Sequence, residues 1–301
     1  MSHKLLIHTF LVLLASLFMA TVAWAVEAEE DTDSQVQPDA QQPDTKLSDA
    51  ENAAKVAERA EAAHLPPDAS AQAEALAKAA TDPSAILTQF GNLFWTTGSS
   101  DDNNISNTYL FQPVLPLSKK NVLRPALPVI NTSDKTSIGD LFLLDVFISP
   151  VKTGSWGWGV AGSVPIGDDE FSTNKWQAGP ALVYINKTSD KVIWGILGYN
   201  QWSFAGKSSA KDVNILTFQP IMTVHTDWGY WGWTDQDATV DWKNDNQTTI
   251  PLGLRFGKVF KAKTPLNASV GFYYSLRNKG LDNVFGVKFT ATFIKPNMLR
   301  H

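Results

Sequence analysis

The chain has 301 residues, 44% of them apolar and 11% aromatic, a formal net charge of −5 and no cysteine. With no cysteine there is no disulfide framework, so stability has to come from burial and a backbone hydrogen-bond ladder. The charge is also divided: residues 26–86 carry four basic and fourteen acidic side chains, a net of −10, whereas residues 87–301 carry twenty basic and sixteen acidic, a net of +4.

Residues 1–25 read as a signal peptide. Lys4 precedes an apolar run from Leu5 to Trp24, and Ala23 and Ala25 flank an A-x-A cleavage site, so the mature chain is expected to begin at Val26. Acidic residues rather than a basic stop-transfer flank follow this run. No other stretch of 18 apolar residues occurs, which excludes an ordinary helical membrane protein.

Residues 26–45 are rich in Asp, Glu, Gln and Pro and read as a disordered linker, because they cannot bury enough surface to offset their ordering entropy. Ser48-Asp49-Ala50-Glu51 fits a capping box opening an Ala-rich helix that Pro66-Pro67 stops, and a second Ala-rich piece covers 70–80. These helices could form a plug, an alanine-seamed coiled coil or a solvated periplasmic extension. Their shortness favours the extension, since isolated helices of this length are rarely stable in water.

From residue 87 strand-like segments follow one another, at 87–97, 106–117, 121–131, 138–150, 155–166, 174–187, 190–205, 211–226, 229–242, 247–262, 265–277 and 282–295. The last is the clearest. Phe285, Val287, Phe289, Ala291 and Phe293 alternate with Gly286, Lys288, Thr290 and Thr292, so one face is apolar. The same alternation sets Ile250, Leu252, Leu254 and Phe256 against Arg255, and Leu266 to Leu276 against Arg277. In 190–205 both parities are apolar, at Trp194 and Ile196 and at Ile193 and Leu197, so its facing stays open.

Twelve antiparallel strands with an apolar outer parity predict a transmembrane β-barrel, all-β, preceded by an extension over 26–86, the barrel occupying 87–301. An even count places both chain ends on the periplasmic side of a Gram-negative outer membrane. The tight turns near residues 118–120, 153–154, 188–190, 227–228 and 262–264 then face the periplasm, with the somewhat longer connections outside. Trp156, Trp158, Trp176, Trp202, Tyr230, Trp231, Trp233 and Trp242 lie near strand ends and are expected at the membrane interfaces.

Several local motifs run in order: Phe111-Gln112-Pro113-Val114, Arg124-Pro125, Gly139-Asp140-Leu141, Gly157-Trp158-Gly159-Val160, Lys175 to Pro180, Asn200 to Gly206, Gln219-Pro220 and Pro251 to Phe260. As a set, over about residues 86–295, the chain resembles the outer-membrane β-barrel family named for the meta-pathway of phenol degradation, whose members are often labelled transporter. The resemblance implies an outer-membrane barrel that moves small solutes, aromatic or apolar ones among them. It carries over no functional residues.

Enzymatic chemistry finds little support. An outer-membrane lipid-modifying enzyme needs a nucleophile and a base within reach, yet after residue 25 the histidines are His64, in the extension, His225, at a turn, and the terminal His301. No catalytic residue, cofactor or metal site is predicted, and nothing supports a nucleic-acid role. Asp235, Asp237 and Asp241 share one parity on the ninth strand and are expected to face the lumen with Arg255, Arg277 and Lys288. They make either a charged constriction or a salt-bridged wall, because unpaired stacked carboxylates repel one another. Asp168-Asp169-Glu170 reads as a solvated acidic loop, with cation bridging to lipopolysaccharide the sharper alternative. The function expected is a channel for small solutes, the alternative being a closed structural or binding barrel. Its expected partners are outer-membrane lipid, lipopolysaccharide and the barrel-assembly machinery, which would read Phe293 as an aromatic assembly signal.

Overall fold

The computed structural model describes residues 75–76, 78–99, 105–189, 191–233, 235–260, 264–277 and 284–295. The expected signal peptide, the expected acidic linker, the helix expected after Ser48, His64 and His301 lie outside them.

The strands are β1 (Thr88–Ser99), β2 (Ile105–Pro116), β3 (Asn121–Asn131), β4 (Thr136–Ile138), β5 (Leu141–Val151), β6 (Gly154–Val164), β7 (Lys175–Asn186), β8 (Val192–Gly206), β9 (Asn214–Thr226), β10 (Gly229–Trp233), β11 (Ala238–Asp241), β12 (Gln247–Phe260), β13 (Leu266–Arg277) and β14 (Val284–Lys295). Two pairs are halves of one staves. β4 and β5 both pair with β3, and β10 and β11 both lie between β9 and β12. The fourteen pieces therefore make a closed antiparallel barrel of twelve strands. Closure is made by β1 against β14, in register from Thr88 opposite Lys295 to Ser99 opposite Val284, and it leaves no free sheet edge.

Alternation decides which side chains line each surface. On β12, Ile250, Leu252, Leu254 and Phe256 are all exposed on the outside, while Arg255 turns inward. Phe285 is outward and Lys288 buried inside on β14, and Phe293 packs on the outer surface with Leu266, Phe260 and Ala291. β8, whose sequence leaves its facing undecided, has Trp194 and Ile196 outside and Ile193 and Leu197 buried inside. Both parities are apolar because both surfaces are. Trp156, Trp158, Trp176, Trp202, Trp233 and Trp242 are exposed on the outside, as expected of an interfacial girdle. Tyr230 is the exception: it is 2% exposed and points inward, where its hydroxyl donates to Asn267 at 2.7 Å.

Two tight connections show why the strands end where they do. Asn244 accepts from the Gln247 amide at 2.9 Å, with Asp245 and Asn246 at φ 49° and 56° between them, a hairpin turn that needs left-handed residues at both central positions. At the opposite end Ser118 caps its own turn, its hydroxyl accepting from the Lys120 and Asn121 amides.

Candidate functional site: the lumen and its plug

The stretch leading into β1 packs inside the barrel, at the end where β1 begins and β14 finishes. Residues 78–81 are helical, a turn follows at 82–85, and the chain enters β1 at Thr88. This segment does not run through solvent. Ala80 and Leu87 bury against Ile294 and Val259, while Ile86 packs on the apolar cluster of β2, β3 and β5 to β9. Polar contacts fix it around the ring. The Thr81 hydroxyl lies 2.8 Å from His225 Nε2, Asp82 is ion-paired with Lys187, and Arg124 donates to the Pro83 carbonyl. The Asp82 carboxylate also accepts from the Ser84 amide and hydroxyl, both at 2.8 Å, which sets the turn. Partners on β3, β9, β12, β14 and the β7–β8 turn span the circumference, so the segment lies across the mouth. The solvated extension inferred from helix length therefore does not describe residues 78–86. Apolar contacts inside the barrel stabilise a stretch too short to be stable alone. His225, expected at a turn, is the plug's partner on the last residues of β9.

Further along the lumen the wall divides into two chemistries. From β2 to β9 the inward residues include Val114, Val122, Leu144, Val146, Val183 and Ile221, one buried apolar cluster. From β10 round to β1 they are Tyr230, Arg255, Tyr273, Asn267, Ser269, Lys288 and Trp95.

A bulge brings the charges together. Gly232 pairs with Thr223 and Ala238 with Phe218, so four residues of β9 face five residues, 233–237, on the neighbouring strand. One surplus residue breaks the ladder and reverses side-chain parity beyond it. The segment carrying Asp235 turns into the lumen. There Asp235 meets Lys288 Nζ at 3.0 Å and Arg255 Nη1 at 4.0 Å, and Gln219 Nε2 donates to the Asp235 carbonyl at 2.6 Å. Arg255 also donates to Thr223 Oγ1 at 3.1 Å and lies over the Tyr230 ring, as Lys288 lies over Trp95. Asp237 accepts from Gln219 at 3.1 Å and from the Tyr199 hydroxyl at 3.5 Å, and among the described residues it forms no ion pair within 4.0 Å.

The structure places Arg255 and Lys288 together on the inward side, whereas the three aspartates do not share one ladder register. Asp235 and Asp237 leave the ladder at the bulge. Asp241 returns to it at the far end of β11, opposite Ile215 and Gln247, accepting from the Lys243 amide at 3.0 Å. Arg277 ends β13 opposite Thr249 and is exposed at the same rim, away from the Asp235 cluster. The acidic outer loop is neutralised by lysines, with Lys135 at 3.7 Å from Asp168 and 3.3 Å from Glu170, and Lys207 at 2.6 Å from Asp169. Arg124, Asp82 and Lys187 are the residues that sequence reasoning missed. Their roles depend on a plug that no local periodicity announces.

Glycine makes room for the two inward tyrosines. A Cβ at Gly257 would come within 2.4 Å of the Tyr230 ring, and one at Gly286 within 2.5 Å of the Tyr273 ring. Each ring lies flat along its wall over a glycine of the paired strand rather than reaching across the lumen.

Among solved structures, the COG4313 outer membrane channel from Pseudomonas putida F1 superposes with a TM-score of 0.54 at 16% sequence identity, over 71% of this chain and 99% of that one. The KdgM porin, alone and in complex with disordered oligogalacturonate, is more distant, with TM-scores of 0.42 and 0.43 at 9% identity over about two thirds of this chain. The first likeness agrees with the fold described above. No protein-family profile and no curated protein matches the chain.

Proposed function

We propose that this protein is an outer-membrane channel for small solutes, held closed at its periplasmic mouth by residues 78–87. The observation that carries this reading is the combination of an apolar outer surface with a charged inner wall inside a closed barrel. A barrel that only had to be a stable membrane body has no need of Asp235, Arg255 and Lys288 within it. The P. putida protein of the same fold is an outer membrane channel, which supports the same role here. The resemblance to the family named for phenol degradation supports aromatic or apolar molecules as cargo. In this reading Asp235, Asp237, Arg255 and Lys288 form the charged constriction, with Asp241 and Arg277 at the outer rim. Phe293 is the aromatic signal read during assembly.

Planar-bilayer recordings with and without residues 26–86 test it. Current that is small for the full chain and larger after truncation is expected, and silence of both would defeat the channel in favour of a closed structural barrel. Arg255→Glu should shift the preference between cations and anions, since one lumen charge in a narrow pore weighs heavily. Phe293→Asp should prevent assembly, read as loss of heat-modifiable migration in outer-membrane fractions. Normal assembly of that variant would remove Phe293 from any special role.

A further inference from the structure

The two rims of the barrel handle charge differently. At the rim away from the plug, lysines and acids meet in place: Lys135 pairs with Asp168 and Glu170, Lys207 with Asp169, and Lys175 with Asp212. At the rim where β1 begins, Lys119 and Lys120 in the β2–β3 turn, Lys152 in the β5–β6 turn, Lys191 before β8 and Lys295 at the end of β14 are all exposed. Among the described residues none of these five lies within 4.0 Å of a carboxylate. Asp190 and Asp227, in turns at the same rim, offset only part of this charge.

One lysine of this rim shows what the others lack. Lys187, in the β7–β8 turn, is ion-paired with Asp82 of the plug, so a carboxylate from the stretch ahead of β1 already ends there. Residues 26–74, which precede the described part of that stretch, carry thirteen acidic and three basic side chains, a net of −10.

We propose that the lysines of this rim are a docking surface for residues 26–74 of the same chain. An exposed ion pair contributes little alone, but this partner is tethered at the rim, where its effective concentration is on the order of millimolar, and many charges of one sign face several of the other. To meet Asp82, Lys187 turns toward the mouth rather than toward the surrounding lipid, which favours the chain's own acids over anionic headgroups as the occupant. The docking does not rest on the channel reading.

Because the chain has no cysteine, Ser34→Cys and Thr188→Cys place a nitroxide in the acidic segment and another in the β7–β8 turn without background labelling. Their separation is read by double electron–electron resonance in lipid discs that hold one full-length barrel and contain phosphatidylglycerol. A free chain of about forty residues spans roughly 35 Å, and the mean separation is expected to be shorter than that by at least about a third. It should relax outward when salt is raised from about 0.1 M to about 1 M, which contracts the screening length from about 10 Å to about 3 Å. Combining Lys119→Gln, Lys120→Gln, Lys152→Gln and Lys191→Gln should give the longer separation at low salt, and if that variant fails to fold the salt response of the parent decides. A separation that ignores both salt and the four substitutions overturns the inference. So does one that is short in discs of neutral lipid and long once phosphatidylglycerol is present, the result expected where headgroups hold the lysines.

Discussion

The two inner walls of the barrel are assembled from opposite materials. Between β2 and β9 the inward side chains include one packed cluster of valine, leucine, isoleucine and alanine, which the plug's Ile86 joins. Between β10 and β1 they are tyrosines, hydroxyls and amides around the Asp235, Arg255 and Lys288 set. The first wall is held by burial, which is non-directional and tolerates repacking, and the second by directional pairs whose members depend on one another. The difference teaches that a barrel interior need not be uniformly polar where its own chain, rather than water, fills part of it.

Introducing a carboxylate into each wall should break the comparison most sharply. Ile185→Asp places one in the apolar cluster at a fully buried site, where burying an unpartnered acid costs about 2–7 kcal/mol. That is a large share of a typical stability of about 5–15 kcal/mol. Loss of the folded, heat-modifiable form is expected. Thr223→Asp puts the same group at a site that is also fully buried but lies 3.1 Å from Arg255, so that variant should fold. If both variants behave alike, the two walls are not chemically distinct.

The dependence within the polar wall can be measured next. Lys288→Met leaves Asp235 with Arg255 alone at 4.0 Å. Removing one member of a fully buried pair costs about 3–5 kcal/mol, but the Asp235 side chain keeps 30% exposure, so a loss of about 1–3 kcal/mol is expected in urea unfolding. Lys288→Met with Asp235→Asn should recover most of it. Strict additivity of the two changes would mean the pair is uncoupled.

A methyl group probes packing on the same wall. Gly286→Ala brings a Cβ within 2.5 Å of the Tyr273 ring and should cost about 1–3 kcal/mol, relieved by Tyr273→Val. Gly271→Ala, whose nearest neighbour would be Arg255 Cβ at 3.4 Å, is the near-neutral control. Similar losses for the two alanines would remove the ring-over-glycine contact from the account.

These walls were unequally legible in the sequence. On β12 and β14 the outside is apolar and the inside polar, so two-residue alternation reports the facing of Leu254 against Arg255 and of Phe289 against Lys288. On β5 and β8 both surfaces are apolar, and alternation has nothing to contrast. The inward Leu144, Val146 and Ile148 become evident only once the cluster is assembled. The strand count and most boundaries followed from turn chemistry and hydrophobic runs. The bulge before Ala238 did not, because a single surplus residue leaves no local mark and yet moves Asp235 and Asp237 out of register with Asp241. The plug escaped for a related reason. Residues 78–87 are ordinary helix and turn sequence, and their placement comes from contacts with strands far away in the chain, from Arg124 to Ile294.

The smallest effect expected lies at the loop end, where one ion pair joins a buried lysine to an exposed acid. Lys175 is 8% exposed, and its ammonium lies 3.1 Å from Asp212 on the connection between β8 and β9. The hydrogen bond from Lys175, followed by its charge, holds the Asp212 carboxyl below its ordinary value. A group whose folded-state value is depressed adds stability that is fully present above its unfolded value, near 3.9, and is lost as pH falls through the folded value. Asp212→Asn should therefore unfold at slightly lower urea than the parent at neutral pH, and the two midpoints should converge as the pH drops below about 4. Because Asp212 is open to solvent, raised salt should shrink the neutral-pH gap as well. A gap of constant size from pH 7 to pH 3 would show that the amide acts by altering loop packing, and that the loop end contributes no electrostatic support to the walls beneath it.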